Sequence, residues 1–365
     1  MSGTLRNRFV MLPAYLLCKL RIMYRSRYPS KQDPPKTSDL TYYIYESRRQ
    51  QYETEARANK TIGIKNPRNG IFYNFKDSYT DLDGVASLRL AADKIYCYEL
   101  LQRLRQPVPP HIALNRFDLE GVLAFKNQCP AGIVIKPARD TGDATGVSIK
   151  PEGLFKIIES LAIAGVYGRE VLVEQFCEGT NYRLLYCDGA FIAASIRLPA
   201  ALTGDGRSTV LDLIKSANRG RAPIGELTDY SPETRPILYR IPMDQRVRSV
   251  LRKQRLSLNS VPAQGRPVRL QDICHWLWGG SYLDVTEEVC PQLTAAGADI
   301  VKALGVRLAG LDVIAKDISD CAHGGYVINE INTTPALLVH YEVQNRDKLR
   351  PVAKTILAEL FGAST

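Results

Sequence analysis

The sequence predicts an α+β fold in which helices alternate with strands and two strands form a hairpin. Strand-like apolar runs at 133–136 and 171–176 flank a helical pattern at 151–164. Asp188-Gly189 interrupts a further apolar stretch, 182–197, and this dipeptide accepts the positive φ angles of a tight turn. Because a plain parallel sheet has no such turn, the pattern favours a mixed sheet.

Helical spacing of apolar residues accounts for much of the remaining chain. It predicts a long helix at Val85–Leu104 and three later helices at 209–218, 244–255 and about 288–304. Nearer the N-terminus, a polar helix is predicted around Glu46–Asn59. No internal repeat is visible in the sequence, which argues against a solenoid or a propeller.

Positive charge is concentrated at the N-terminus. The 365-residue chain carries a net charge of +10, and residues 1–32 hold seven Lys and Arg with no Asp or Glu. Within this arm Phe9–Ile22 is apolar, but Pro13 and Lys19 interrupt it, so it is too short and too broken for a membrane-spanning helix. We expect a helix that docks on the body of the protein with its cations in water. Peripheral contact with a membrane or a partner is the alternative.

The composition is that of a globular protein large enough for two or three domains, with 45% hydrophobic and 24% charged residues. Its eight cysteines are scattered without a CxxC pair, so we expect reduced thiols in a cytoplasmic protein. Lys31–Asp39 has the composition of a linker. Base-stacking aromatic residues are too few beside the basic residues to predict a nucleic-acid partner.

Two strand-like runs near the C-terminus carry oxygen ligands. Leu311–Ile314 contains Asp312, and the alternation of Val327–Asn332 places Glu330 and Asn332 on one face. A segment rich in Asp, Ser and Gly between the runs can turn the chain back, so an antiparallel pair would bring the three residues together. Such a set suits Mg²⁺. The alternative is two edge strands with solvated polar faces.

An apolar strand that ends in a lysine indicates a phosphate site. Ile133–Pro137 contains Lys136, and the small residues that follow, including Thr141 and Gly142, let backbone N–H groups approach a phosphate chain. The P-loop pattern is absent. The alternative is an ordinary β-hairpin loop.

Two further segments fit a nucleotide site. Glu170–Gly179 is a strand that can offer backbone groups to a purine edge, with Phe176 against the ring. The Gly-rich segment 203–209 precedes a predicted helix, and helix N-termini favour anions. The alternatives are a buried strand with its turn, and a surface turn with an N-capped helix.

Together and in this order, these segments resemble motifs of the ATP-grasp superfamily, over about residues 80–341. The similarity is greatest to cyanophycin synthetases and extends to glutathione synthetase-like and D-alanine–D-alanine ligase-like enzymes. It implies an α+β, ATP-grasp fold with two α+β subdomains that clasp ATP. The implied division is a basic arm and linker at 1–40, a shortened substrate-side region at 41–84 and the ATP-grasp domain at 85–360. The matching motifs are Asp93-Lys94, Val134–Pro137, Val173-Glu174 with Gly179, Arg197–Ala200, Thr203–Ser208, Gly310–Asp312 and Asn329–Pro335.

The resemblance implies roles for matching positions. Lysines would contact the ATP phosphates or the base, a glutamate would bond the adenine amino group, and arginines would face the γ-phosphate and an acyl phosphate. Acidic and amide side chains would hold Mg²⁺, with Mn²⁺ as the alternative. The implied cofactor-binding residues are Lys94, Lys136, Thr141, Gly142, Glu174, Gln175, Phe176, Cys177 and Asn181. The implied catalytic residues are Arg183 and Arg197, and the implied metal ligands are Asp312, Glu330 and Asn332.

The sequence also departs from the family pattern. Asn181 replaces the acid that would hold the ribose, and Gln271 and Asp272 replace a pair of arginines. Either the substrate differs or activity is reduced. The same loop contains three rings that would shape an acceptor pocket or pack as a plain loop: His275, Trp276 and Trp278.

The resemblance therefore implies an ATP-dependent carboxylate–amine ligase that works through an acyl phosphate and releases ADP and phosphate. Its partners would be a small carboxylic acid and an amine or amino acid, in a cytoplasmic homodimer. Two alternatives stay open. One is a ligase that modifies a peptide held by the basic arm, and the other is a degenerate protein that binds nucleotide as a regulatory module.

Overall fold

A computed structural model of the chain describes residues 2–27, 39–57, 61–76, 79–142, 144–222, 238–272, 274, 278–321 and 325–362. The helices are α1 (Ser2–Arg27), α2 (Leu40–Arg49), α3 (Val85–Ala91), α4 (Lys94–Arg103), α5 (Leu119–Asn127), α6 (Gly153–Val166), α7 (Val210–Arg219), α8 (Gln245–Lys253), α9 (Pro291–Leu304), α10 (Leu338–Tyr341) and α11 (Val352–Phe361). The strands are β1 (Glu53–Arg57), β2 (Thr61–Lys65), β3 (Phe72–Lys76), β4 (Tyr79–Thr80), β5 (His111–Asn115), β6 (Ile133–Pro137), β7 (Ser148–Ile149), β8 (Glu170–Gln175), β9 (Thr180–Cys187), β10 (Ala190–Leu198), β11 (Ala201–Thr203), β12 (Pro267–Arg269), β13 (Ser281–Asp284), β14 (Leu308–Ala315) and β15 (Tyr326–Asn332).

The chain forms two compact units, each assembled from separate stretches of sequence. The first unit consists of Met1–Asp33, Asp83–Gly179 and Cys290–Thr333, and the second of Pro34–Leu82, Thr180–Val289 and Thr334–Thr365. Most of the predicted linker at 31–39 lies outside the described residues. The boundaries predicted from the sequence at 40 and 84 stay a prediction.

The first unit contains an antiparallel sheet in the order β5-β8-β6-β7. Helices α5 and α6 cover one face, where alternate residues of β6 and β8, such as Ile135 and Val173, are fully buried beside Leu161. Burial of such a face supplies most of the driving force for the fold. Helix α1 docks on α6, as predicted for the N-terminal arm: Tyr15 and Cys18 pack on α6.

A second element of the first unit is the antiparallel hairpin β14–β15, with α9 packed on β14. Its register pairs Asp312 with Glu330, but the next pair joins Val313 to Ile328. Asn329 is therefore an extra residue on β15, which makes a β-bulge. A bulge leaves one residue outside the ladder, so the backbone groups of Asn329 are free to bond elsewhere in the unit.

The second unit contains a sheet in the order β1-β2-β3-β4, the strand set β13-β10-β9, and the ribbon β11-β12 with helices α7 and α8. The predicted hairpin is confirmed: β9 and β10 are joined at Asp188 and Gly189, whose φ angles are 50° and 79°. Among the described helices of the chain, none is both long and apolar enough to cross a bilayer.

Two helix predictions were wrong in detail. The helix expected around Glu46–Asn59 ends at Arg49, and Glu53–Arg57 pairs with β2 as a strand instead. Its alternating polar side chains suit an exposed edge better than a helix face. The helix expected over Val85–Leu104 is two helices, because the Asp93 side chain accepts hydrogen bonds from two backbone amides and starts α4.

The cysteine prediction fails for one pair. Cys290, at the start of α9, and Cys321, in the loop after β14, form a disulfide with a Cα–Cα distance of 6.2 Å. Because they are 31 residues apart, only the tertiary fold brings them together. The remaining six cysteines are free thiols, as expected.

Candidate functional site

A buried lysine–glutamate pair lies at the centre of the first unit. The Lys136 ammonium on β6 is 2.5 Å from a carboxylate oxygen of Glu174 on β8, and their side chains are only 5% and 2% exposed. The Lys136 Nζ also donates to the Tyr98 hydroxyl at 3.3 Å and to the Asn329 carbonyl at 3.4 Å. A buried charge is tolerated only when it is paired and hydrogen-bonded, and Lys136 meets both conditions.

Tyr98 connects this pair to the bulge in β15. Its hydroxyl lies 2.7 Å from Glu174 Oε1 and 2.8 Å from the Asn329 carbonyl, and with one proton it donates to one of them at a time. Burial, and then the Glu174 charge, raise the pKa of Tyr98 well above its usual value, so the hydroxyl stays protonated. Sequence reasoning missed Tyr98, although it lies four residues after Lys94 and so shares a face of α4 with it.

A second lysine–glutamate pair is more accessible. Lys94, at the start of α4, places its Nζ 3.2 Å from Glu330 Oε1 and donates to the Thr141 carbonyl at 3.0 Å. The Glu330 side chain is 25% exposed. The space beside this pair, between α4 and β15, has a volume of about 10 Å³, which holds about one water molecule. Lys94 itself is buried, with a side chain only 9% exposed, and its partner carboxylate provides the contact of the pair with solvent.

The three predicted metal ligands lie on adjacent strands of one hairpin. Asp312 is directly opposite Glu330, and Asn332 is two residues further along β15, opposite Gly310. All three are partly exposed, and the Asn332 side-chain nitrogen is buried without a hydrogen-bond partner among the described residues. Within the same described residues, no group of three or more His, Cys, Asp and Glu is arranged for a metal. Two carboxylates with one amide oxygen nevertheless fit a hard cation such as Mg²⁺.

The segment predicted to hold the adenine follows β8. The Phe176 amide donates to the Gly132 carbonyl at 2.9 Å, so this N–H is already engaged by the protein. The Lys150 ammonium lies 3.9 Å from the centroid of the Phe176 ring. Cys177 is half-buried, and burial is the main cause that raises the pKa of its thiol. The backbone N–H of Gln175 donates to the Pro110 carbonyl at 2.8 Å. The adenine contacts of this segment stay a prediction.

The predicted arginines lie in the second unit, on one face of the β9–β10 hairpin. Asn181 is opposite Arg197, and Arg183 is opposite Ser195. Because the two pairs are two residues apart along each strand, all four side chains lie on the same face. Arg183 is 6% exposed. Short helix α10 packs on β10 and β13 and contributes a residue that the sequence analysis missed, His340.

His340 is fully buried, and neither ring nitrogen has a hydrogen-bond partner among the described residues. Burial, followed by the charges of Arg183 and Arg197, lowers the pKa of His340 to about 3. The imidazole is therefore neutral at physiological pH. No signal in a single sequence marks this histidine, since its importance comes from packing against β10.

The loop positions that depart from the family pattern are engaged within the second unit. Gln271 is buried, and the Asp272 carboxylate is 2.8 Å from the Lys253 ammonium. The guanidinium carbon of Arg246 lies 4.4 Å from the centroid of a Trp278 ring. This contact fits the alternative that the loop is simply packed. His275 and Trp276 lie outside the described residues.

The Gly-rich loop at 203–209 has backbone amides that are hydrogen-bonded within the protein. The Asp205 carboxylate accepts hydrogen bonds from the amides of Arg207 and Ser208, which lower its pKa to about 2. The Thr209 hydroxyl caps α7 by accepting from the Asp212 amide. These amides are therefore satisfied by the loop's own side chains, and the alternative of a surface turn with an N-capped helix is correct.

Known proteins resemble this chain over most of its length. No protein-family model matches it. Cyanophycin synthetase from Nostoc sp. is 30% identical over 284 residues, which are 77% of this chain and 30% of that protein. The bifunctional glutathione biosynthesis protein of Enterococcus faecalis is 31% identical over 249 residues, which are 66% of this chain and 32% of that protein. The chain thus spans about a third of the length of these relatives.

A solved structure has the same fold. The bifunctional glutathione synthetase of Pasteurella multocida superposes with a TM-score of 0.61 and 23% identity, over 90% of this chain and 44% of that one. At this level of identity the likeness concerns the fold, and it matches the mixed α+β architecture predicted from the sequence.

Proposed function

Because this chain is a member of the ATP-grasp superfamily and resembles cyanophycin synthetase, we propose that it is an ATP-dependent ligase that joins a carboxylate to an amine. The observation that carries the proposal is the Lys94–Glu330 pair, in which Lys94 contacts the β14–β15 hairpin next to Asp312. Lys94 is a cation that could bind phosphate, and the hairpin offers oxygen ligands for a metal ion within the same unit. Phosphoryl transfer needs little more from a protein than positioning and charge stabilisation.

Lys94 is the lysine that we place on the ATP phosphates. Its present partner is a partly exposed carboxylate, and a polyphosphate carries more negative charge than one carboxylate, so exchange of partners is favourable. Lys136 is buried against Glu174 and acts mainly by holding Tyr98 and the Asn329 carbonyl in place. It reaches nucleotide only if it gives up Glu174.

Asp312, Glu330 and Asn332 are the residues that would hold Mg²⁺ or Mn²⁺. A divalent cation there would neutralise charge on phosphate oxygens. When Glu330 turns to such an ion it releases Lys94, so binding of metal and freeing of the lysine would be coupled through one carboxylate. This coupling would involve only Lys94 and Glu330, whether or not a nucleotide is bound.

In the proposed reaction an oxygen of the substrate carboxylate attacks the γ-phosphorus of ATP, the bond to the β-γ bridging oxygen breaks, and ADP leaves. The amine nitrogen then attacks the acyl carbon, an amide bond forms, and phosphate leaves with the electrons of the C–O bond, while the proton that the amine loses passes to the departing phosphate. Arg183 and Arg197 would stabilise the acyl phosphate, since a guanidinium is always charged and its donors fit phosphate oxygens. The retained lysines and hairpin ligands argue against a degenerate, non-catalytic module.

The test is a screen of carboxylic acids and amines for ADP release with the full-length protein. With hydroxylamine in place of the amine, the activated acid should accumulate as a hydroxamate while phosphate is released. AMP and pyrophosphate as products would contradict the acyl-phosphate route. Phosphate release that no carboxylic acid stimulates would contradict the ligase itself.

A further inference from the structure

Helix α1 uses only one of its faces for docking. Tyr15 and Cys18 pack on α6, and Met11 is fully buried in the core that α5 and α6 form with the β5-β8-β6-β7 sheet. The Tyr15 ring meets Phe117 edge-on, with 5.6 Å between the ring centroids, and lies 4.4 Å from the guanidinium carbon of Arg116. We call the side of α1 that carries Met11, Tyr15 and Cys18 the docked face. Apolar and aromatic contacts therefore hold this face on the first unit.

The opposite side of α1 is apolar and exposed. Leu16 and Leu20, about one helical turn apart, are 48% and 64% exposed. We call this side the outer face, and its exposed apolar side chains are Val10, Leu12, Leu16, Leu17, Leu20 and Met23. These are six of the 18 large apolar side chains that are exposed in the described part of the chain, and all six lie within residues 10–23. Single exposed leucines are normal on a protein surface, but a contiguous apolar patch marks an interaction site.

Positive charge borders the outer face. At about 100° of rotation per residue, Lys19 falls beside Leu12 at one edge of this face. Arg21 falls beside Val10 at the other edge. Both cations are exposed, and the Lys19 ammonium lies 5.9 Å from the centroid of the Tyr15 ring, at the boundary with the docked face. Because α1 carries six Lys and Arg and no Asp or Glu, its outer face is an apolar stripe with cationic edges.

This combination of features distinguishes between the partners that could cover the outer face. A second copy of the chain would bring the cationic edges of two α1 helices together, and like charges repel. A folded protein partner would need a groove shaped to a convex helix, with carboxylates at both rims. The surface of an anionic membrane needs no such groove, since its phosphates lie above an apolar layer. None of the described helices can cross a bilayer, so α1 would lie in the plane of that surface.

We propose that the outer face of α1 binds the surface of a membrane rich in anionic phospholipids, while its docked face stays on the first unit. Leu16 and Leu20 would enter the boundary between headgroups and acyl chains. Lys19 and Arg21 have apolar stems long enough to keep their charged ends at the phosphates while the helix lies deeper. The proposal concerns where the protein binds and holds whether or not the chain is a ligase.

The test is cosedimentation of the full-length protein with lipid vesicles. Vesicles of mixed phosphatidylglycerol and phosphatidylcholine should bind the wild type, whereas vesicles of phosphatidylcholine alone should bind it much more weakly. The variant Leu16→Gln/Leu20→Gln should weaken binding to the mixed vesicles roughly tenfold or more, because two apolar side chains no longer leave water. Its melting temperature should change little, because both side chains are exposed in the free protein.

The cationic edges are tested separately. Lys19→Gln/Arg21→Gln should weaken binding to the mixed vesicles roughly tenfold, since each cation near an anionic surface adds to the attraction. The same variant should show a smaller preference for mixed vesicles over phosphatidylcholine alone. Added salt should also weaken binding of the wild type, because exposed charges are screened.

The matched control is Val85→Gln/Leu90→Gln on α3, which removes two exposed apolar side chains elsewhere on the first unit. It should change vesicle binding less than about twofold, since these side chains lie outside the outer face. Equal weakening by this control and by Leu16→Gln/Leu20→Gln would overturn the proposal. So would a wild type that does not sediment with the mixed vesicles, or a wild-type dimer that Leu16→Gln/Leu20→Gln dissociates without any vesicle binding.

Discussion

The two lysine–glutamate pairs of the first unit show how the same two residue types serve different ends. Lys136 and Glu174 are almost wholly buried, and two further oxygens complete the lysine's environment. Lys94 and Glu330 are further apart, and the glutamate is partly exposed. Breaking the fully buried pair leaves a charge without its counter-ion and away from water, whereas the Glu330 carboxylate, 25% exposed, can exchange partners with water or a ligand. We therefore expect the first pair to hold the site together and the second to react to what binds.

The sharpest test of this contrast is stability. Lys136→Met leaves the Glu174 carboxylate buried without its cation and should lower the free energy of unfolding by about 3–5 kcal/mol. Lys94→Met should lower it less, by about 1–3 kcal/mol, since Glu330 is 25% exposed and can turn to water. Urea unfolding measures both. The double variant Lys136→Met/Glu174→Gln should recover most of the loss, and equal losses in the two single variants would break the comparison.

For activity we expect the opposite order, with a larger loss from changes in the Lys94–Glu330 pair than their effect on stability suggests. Glu330→Gln removes a proposed metal ligand and the partner of Lys94, and should reduce ADP release at least about 100-fold while the melting temperature changes little. The control is Glu99→Gln, also on the first unit, which removes an exposed carboxylate from α4. Full activity of Glu330→Gln would exclude the hairpin as the metal site.

His340 extends the comparison to a buried group that has no partner of opposite charge. Its pKa is lowered from 6.5 to about 3, so the native state resists the proton that the unfolded chain accepts. Its contribution to stability is present above pH 6.5 and is lost as the pH falls toward 3. The free energy of unfolding of the wild type should therefore fall more steeply as the pH is lowered than that of His340→Gln. The difference between the two slopes corresponds to the uptake of up to about one proton per molecule on unfolding. Parallel pH profiles of the two proteins would show that the imidazole is already charged or solvated.

Tyr98→Phe should have a smaller effect on stability than Lys136→Met. It removes one hydroxyl from the buried pair and should lower the free energy of unfolding by about 1–2 kcal/mol, because one donor to Glu174 or Asn329 and one acceptor for Lys136 are lost while Lys136 remains. Since the pKa of Tyr98 is raised by burial and by Glu174, the loss should be the same at pH 6 and about pH 9. A loss as large as that of Lys136→Met would mean that the hydroxyl, rather than the ammonium, holds the pair.

Much of this region could be predicted from the sequence because its signals are local. The apolar alternation of β6 and β15, the lysine at a strand end and the turn at Asp188-Gly189 are each contained in a few residues, and each is present in the structure. The pairing of Asp312 with Glu330 followed from the alternation and the turn between the strands. Such features need only backbone geometry and the period of side chains.

What the sequence did not predict depends on contacts between distant segments. Cys290 and Cys321 meet only through the packing of α9 and the loop after β14. The phosphate contact of Lys136 stays a prediction, but the burial that gives it Glu174 and Tyr98 as partners comes from three separate elements and was not predicted. The interruption before α4 was visible in principle, since Asp93 is a good N-cap, but an unbroken apolar period outweighed it.

The bulge at Asn329 makes the hairpin sensitive to chain length as well as to side-chain chemistry. Deleting this residue would let β15 pair with β14 without interruption, with Ile328 still opposite Val313 and Glu330 still opposite Asp312. The carbonyl that Tyr98 and Lys136 bond would nevertheless be gone. A substitution at Asn329 keeps that carbonyl, so this position should tolerate many side chains but no loss of length.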